Sequence, residues 1–289
     1  MISQAFAMCI SYRESMIEQL QAFENQLVQE EKSAATVEKY LRDARAFLLY
    51  LAGRPICKEE TVAYKETLTG QYAPASVNSM LIAVNRFLRY IGLESCRVKL
   101  LKIQRQIYCP EEKELTRAEY VRLVNAARTK QNERLSLLLE TICGTGIRVS
   151  ELAYITAEAV RGGEAAVRCK GKMRTVFIPT KLQKKLLRYM KEQHITAGAV
   201  FVTRTGRPIS RSNIWREMKA LCESAGVAPG KVFPHNLRHL FARTFYGIEQ
   251  DIVRLADILG HSSINTTRIY VVSSGAEHRR KIEGMRLIL

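Results

Sequence analysis

Apolar residues recur at helical spacing along most of this chain, and between residues 154 and 178 the period changes to two. That contrast bounds the fold tightly, because a period of 3.6 buries one stripe of a helix and a period of two buries one face of a strand. Val37, Tyr40, Leu41, Ala44, Phe47, Leu48 and Leu51 form one stripe, on a helix expected from about Ala34 to Leu51 with Ser33 as its cap. Val77, Leu81, Val84, Leu88 and Ile91 form a second, from about Ala75 to Ile91. Met16, Leu20, Phe23 and Leu27 mark a helical lead-in within residues 1–32, and a short helix is expected over about 59–68. Further helices are expected over about 117–127, opened by a Thr116–Glu119 capping box, and over 132–143, 180–193 and 211–225. Ala166–Arg168 and Thr175–Ile178 read as strands, with Lys170, Gly171, Lys172 and Met173 at or near the turn, and Ala199–Val202 reads as another short strand. The expected class is mainly α with a small antiparallel β-sheet.

Residues 97–114 interrupt the helices with charged, extended character and Pro110, which reads as a linker. The expected organisation is a helical domain over 1–104, a linker over 105–115 and a mixed α/β domain over 116–289. With 289 residues the chain has room for both. Its 45 Lys and Arg outnumber 28 Asp and Glu, and a net charge of +17 calls for a polyanionic partner, nucleic acid before membrane. Lys39, Arg42, Arg45, Arg86 and Arg89 lie off the apolar stripes, where shared sign favours phosphate contacts. No apolar run reaches the roughly 18 residues of a membrane span, and the N-terminus is a poor signal peptide, so no membrane role is expected and the location is read as cytoplasmic. Seven scattered cysteines without a C-x-x-C pair suit reduced thiols, not a zinc site or disulfide framework.

The densest chemistry lies between Pro234 and Tyr270. His235 and Arg238 are three apart, which places both on one face of a helix, with His239 beside them at i+4. Ile252, Leu255, Ala256 and Leu259 form an amphipathic turn that stops at Gly260, and His261 follows at once. Tyr270 comes one short helix later, behind the polar residues 262–267. Cationic and phenolic groups set into apolar segments suggest a site for an anion and a nucleophile.

Five motifs in order make the pattern specific. They are Thr145-Gly-Ile-Arg148-Val-Ser-Glu-Leu152, Lys170-Gly-Lys172-Met-Arg174, His235-Asn-Leu-Arg238-His239, Leu259-Gly-His261 and Thr266-Thr-Arg-Ile-Tyr270. The chain resembles the tyrosine recombinase, or phage integrase, family, closest in plan to its short Xer-like and mobile-element members. The motifs cover residues 145–270, and the helical N-terminal half is similar to the family's core-binding domain by pattern. The resemblance implies a site-specific recombinase acting on double-stranded DNA as a homo-tetramer, or with a related recombinase as partner, without metal, cofactor or ATP. It also implies a 3′-phosphotyrosyl intermediate.

The residue types suit that chemistry. Displacement at a phosphodiester concentrates charge on the non-bridging oxygens, and Arg148 and Arg238 would supply planar donors that stay charged. His235 and His261 can donate or shuttle a proton near neutrality. Tyr270 would be the nucleophile. A free tyrosine is only about 0.1% phenolate at pH 7, so a base must take the proton as attack proceeds. In the family a hairpin lysine protonates the leaving 5′ oxygen. Here the hairpin is one residue shorter than the common form; Lys172 fits by its distance to Arg174, and Lys170 stays open.

Other readings fare less well. His235 and His239 lack the glutamate of a zinc-hydrolase H-E-x-x-H, and a two-metal nuclease would need clustered carboxylates. A type IB topoisomerase shares the chemistry but fits the small helical N-terminal domain less well. A catalytically silent, sequence-specific DNA-binding protein explains the charge but not the ordered motifs. Glu151 is expected to support Arg148, and His239 to be a buried, hydrogen-bonded helix residue. The apolar end, Leu287 to Leu289, is expected either to pack within the chain or, by the resemblance, to dock onto a neighbouring protomer.

Overall fold

A computed structural model of the chain describes residues 18–103, 111–169, 172–261, 263–270 and 283–285. The start of the helical lead-in, Pro110, Lys170 and the Leu287–Leu289 end fall outside the described residues. The chain divides into two compact units, Met1–Arg105 and Gln106–Leu289.

The first unit is all helical: α1 over residues 18–29, α2 over Ala34–Leu51, α3 over Lys58–Gln71 and α4 over Pro74–Tyr90. Ser33 caps α2 by accepting from the Thr36 N–H, and Pro74 opens α4, where a missing N–H costs nothing. The apolar stripes meet in two clusters. Phe23, Leu27, Leu41 and Phe87 fill one; Phe47, Tyr64, Leu81 and Leu88 fill the other. Phe23 meets Phe87 edge-on with ring centroids 5.4 Å apart.

The segment after α4 differs from the linker expected there. Its first part is bound. Asn85 donates to the Val98 carbonyl at 2.8 Å and accepts from the Val98 N–H at 2.9 Å. Asn78, two turns earlier on the same helix face, does the same to Leu101 at 2.9 and 2.7 Å. Each side-chain amide thus pairs with one residue's main chain as a neighbouring strand would. Charge composition alone hid this.

In the second unit, α5 over Arg117–Thr129 opens with the Thr116–Glu119 capping box and packs on α6 over Glu133–Thr145. A 3-10 turn over Val149–Tyr154 and α7 over Ala157–Gly162 lead into the hairpin of β1, Glu164–Cys169, and β2, Lys172–Phe177. The strands pair antiparallel, with Val167 opposite Arg174 and Cys169 opposite Lys172. Both run longer than the apolar alternation marked. One face buries Ala165, Val167 and Val176, while Met173 and Phe177 on the other are 73% and 68% exposed.

Helix α8 covers Thr180–Glu192. Ala199–Val202 is no strand: it touches its neighbours through single bridges, Thr156 to Ala199 and Val202 to Pro208. The expected helix over 211–225 is split into α9, Arg211–Lys219, and α10, Cys222–Ala225. Helices α11 over Pro234–Glu249, α12 over Ile252–Leu259 and α13 over Ile264–Arg268 complete the unit. One core joins α5, α6, α8, the hairpin and α11, built on Leu123, Leu138, Ile142, Val167, Leu186 and Leu237. Among the described residues, no helix is long and apolar enough to cross a membrane.

Candidate active site

Helix α6 stops at Gly146, whose φ of 63° is the left-handed conformation that glycine takes without strain. A Cβ there would lie 2.5 Å from the Phe241 ring. The tight turn carries the chain to Arg148, at the start of the 3-10 turn. Glu151 accepts from the Arg148 N–H at 3.0 Å and from its guanidinium at 2.9 Å. It also accepts from Arg174 of β2 at 2.6 Å. Glu151 is only 2% exposed. Burial pushes its carboxyl up, but the bonds from Arg148 and Arg174 outweigh that and hold it below the usual carboxylate range.

Helix α11 supplies His235, Arg238 and His239. Its first turn is fixed by buried Asn236, which donates to the carbonyls of Lys113 and Lys231 at 2.9 and 2.8 Å. Arg238 is 2% exposed and donates to the Gly146 carbonyl. Burial, then the charge of Arg148, lowers its pKa to about 10, so it stays protonated at neutral pH.

Helix α12 ends in a Schellman turn: the Gly260 N–H donates to the Asp257 carbonyl and the His261 N–H to the Ala256 carbonyl, each at 2.9 Å. Its last carbonyls collect the arginines one by one. Arg174 donates to Ile258 O at 2.7 Å, Arg238 to Leu259 O at 2.7 Å and Arg148 to Gly260 O at 3.2 Å. The negative end of a helix and one buried carboxylate therefore hold three like charges together. Gly260, at φ 63°, has no Cβ to strike Arg174, whose Cδ would be 2.3 Å away.

His261 sits between Arg238 and Thr267. Its Nε2 is 3.1 Å from Arg238 Nη2, and its Nδ1 is 2.8 Å from Thr267 Oγ1. A guanidinium only donates, so Nε2 accepts and the proton is on Nδ1. Burial, followed by the charges of Arg238, Arg148 and Arg174, lowers the His261 pKa to about 4.

Tyr270 is 6% exposed and belongs to an apolar cluster with Ala242, Leu255 and Leu259, against which Phe241 packs. Three histidine rings surround it: His239 at 4.2 Å between centroids, His261 at 5.2 Å and His235 at 5.4 Å. His239 differs from its expected role. It is half-buried and makes no hydrogen bond to a described residue; its contacts are ring contacts, to Tyr270 and, at 4.8 Å, to His235. Burial and the charges of His235 and Arg238 lower its pKa to about 4. Desolvation of its ring and then the charges of Arg238 and Arg148 also lower that of His235, although this residue lies exposed at the rim.

The structure thus brings Arg148, His235, Arg238, His261 and Tyr270 to one place. Lys172 begins β2 two residues before Arg174. Lys170 lies outside the described residues. Arg174 and Thr267 are the members that sequence reasoning missed. Arg174 had served only as a spacing mark for Lys172, and Thr267 looked like part of a polar cap.

Comparison with known proteins matches residues 113–277 to the phage integrase family and residues 20–94 to the phage integrase N-terminal SAM-like domain. The chain belongs to the phage integrase family. Among its relatives, tyrosine recombinase XerA of Thermococcus kodakarensis is 31% identical over 92% of this chain and 94% of its own length. Tyrosine recombinase XerD of Vibrio cholerae is 32% identical over 72% and 74%. A crystal structure of XerA recombinase aligns at 26% identity and a TM-score of 0.54, covering 95% of this chain and all of that one. A lambda integrase dimer bound to a COC′ core site aligns at 19% identity and a TM-score of 0.71, covering 88% and 94%, a likeness of fold. The three arginines and Tyr270 with its histidines all lie in the span matched to the family.

Proposed function

We propose that this chain is a site-specific DNA recombinase that cuts and rejoins duplex DNA through a 3′-phosphotyrosyl intermediate. The observation that carries the reading is the placement of a buried tyrosine among three histidine rings and beside Arg238, one of three arginines gathered on the carbonyls of residues 258–260. Arg148 and Arg238 hold the non-bridging oxygens of the scissile phosphate and take up the charge of the transition state. Tyr270 Oη attacks phosphorus, and His235, at the rim and neutral, accepts the phenolic proton. As the P–O5′ bond breaks, the leaving oxygen takes a proton from Lys172, whose strand position shares a face with Arg174. The phosphodiester energy is kept in the new ester, so a 5′-hydroxyl from a second duplex reverses the steps without ATP.

Double-stranded DNA is the partner the +17 charge calls for. Four protomers bring two duplexes together in this reading, and the apolar C-terminal residues join neighbours. The catalytically silent DNA-binding alternative leaves the Tyr270 cluster without a purpose. The test uses a duplex nicked near the cleavage position, built on a site recovered by selection from random sequence. The chain should form a covalent adduct in the presence of EDTA, and Tyr270→Phe should form none. An adduct with the Phe variant would remove Tyr270 from its role.

A further inference from the structure

We infer that Thr267 is a positioning residue that couples the docking of the nucleophile to the orientation of the His261 ring. The inference rests on the recombinase reading for its effect on catalysis, but its structural half stands on the geometry alone. Thr267 is fully buried and acts through two different groups. Its Oγ1 lies 2.8 Å from His261 Nδ1, and its carbonyl accepts the Tyr270 N–H at 2.9 Å. One residue therefore holds the histidine by its side chain and the tyrosine by its main chain.

The polarity of the first bond follows from the far side of the ring. Arg238 can only donate to His261 Nε2, so Nδ1 carries the proton and gives it to Thr267 Oγ1. Nε2, the nitrogen beside Arg238, is then the one with a lone pair for a proton or a phosphate oxygen. Arg238 sets the tautomer, and the Thr267 hydroxyl receives the Nδ1 proton and holds the ring in its plane; without that hydroxyl no described residue bonds Nδ1, and the ring is free to turn. When the segment carrying Tyr270 leaves its seat, Thr267 leaves with it, and His261 loses its Nδ1 anchor at the same time. The histidine is thereby ready only while the tyrosine is in place.

The experiment uses the full chain with 15N-histidine, reading the two ring nitrogens of His261 through their couplings to the ring protons at neutral pH. In the wild-type chain Nδ1 should show as the protonated nitrogen and Nε2 as the bare one; the opposite assignment overturns the proposal before any variant is made. Thr267→Val, nearly the same shape without the hydroxyl, should leave Nδ1 protonated but break its hydrogen bond, seen as a shifted Nδ1 signal and faster exchange of its proton. Thr267→Ser should restore the wild-type signal. On the nicked duplex, Thr267→Val should lower the single-turnover rate of adduct formation roughly tenfold with DNA affinity unchanged, and Thr267→Ser should recover most of it. An unchanged His261 spectrum in Thr267→Val sinks the coupling, as does a loss that Thr267→Ser fails to recover. A wild-type chain with the expected tautomer but no Tyr270 adduct would instead overturn the recombinase reading and leave the hold of Thr267 on His261 intact.

Discussion

Arg238 Nη2 lies 3.1 Å from His261 Nε2, and this contact has one workable polarity. The guanidinium gives the hydrogen and the imidazole receives it. A proton added to His261 would set N–H against N–H beside three arginines. The centre of the site therefore needs its histidine neutral, and burial and charge keep it so down to about pH 4.

Acid should weaken the second unit in a defined window. In the unfolded chain His239 and His261 bind a proton near the ordinary 6.5; folded, each holds off until about 4. Between those values the unfolded state binds more protons, so stability falls as pH is lowered through the window and levels off below it. Glu151 has the opposite charge type and a depressed pKa, and it adds a further loss only below the usual 4.5. Urea unfolding at pH 7.5, 6.0 and 5.0 should show a falling midpoint, and replacing His239 with Phe should reduce the slope.

Removing Glu151 should unseat two arginines at once. Glu151→Ala leaves Arg148 and Arg174 facing each other without the buried carboxylate, at a cost of roughly 3–5 kcal/mol. Chemical unfolding measures this. A double variant with Arg174→Leu should cost less than the sum of the two single changes, because the first already breaks the contact.

Two glycines should respond in opposite ways to alanine. Gly260→Ala places a Cβ at 2.3 Å from Arg174 Cδ on a left-handed backbone, and should cost about 1–3 kcal/mol and slow adduct formation. Gly247→Ala, inside α11 with nothing within 4 Å of its new methyl, should leave stability unchanged or raise it by roughly 0.5–1 kcal/mol. Thermal unfolding of the two variants side by side checks the contrast.

The asparagine pairs of the first unit are separately testable. Asn85→Ala leaves the Val98 N–H and carbonyl without their partner, at a cost of about 1–3 kcal/mol. Amide exchange should speed up at Val98 and not at Leu101 in this variant, and the reverse holds for Asn78→Ala.

The residues at the site were legible because each announces itself locally: an arginine after a glycine turn, a histidine after a helix stop, a tyrosine after a capped turn. The helical stripes of α2 and α4 were legible for the same reason, since burial there follows one period. Arg174 was not, because its worth lies in reaching Glu151 and Ile258, neither of which is near it in sequence. Ala199–Val202 misled because a short β-branched and aromatic run marks burial as readily as pairing; Val200 and Phe201 are buried with single bridges on either side. Asn78 and Asn85 carry no local mark of their role, and only the extended chain lying over them gives their amides work.

The burial of Tyr270 also bears on fidelity. An enzyme that joins itself to a broken strand holds that break only as long as water stays out, since hydrolysis of the ester would make it permanent. The histidines around Tyr270 are neutral, and a neutral imidazole next to an ester is a ready base for a water molecule. Tyr270 shares an apolar cluster with Leu255 and Leu259 and is ringed by histidines, so that only 6% of it meets water. With Tyr270 as the proposed nucleophile, close packing at this one side chain separates rejoining a strand from cutting it.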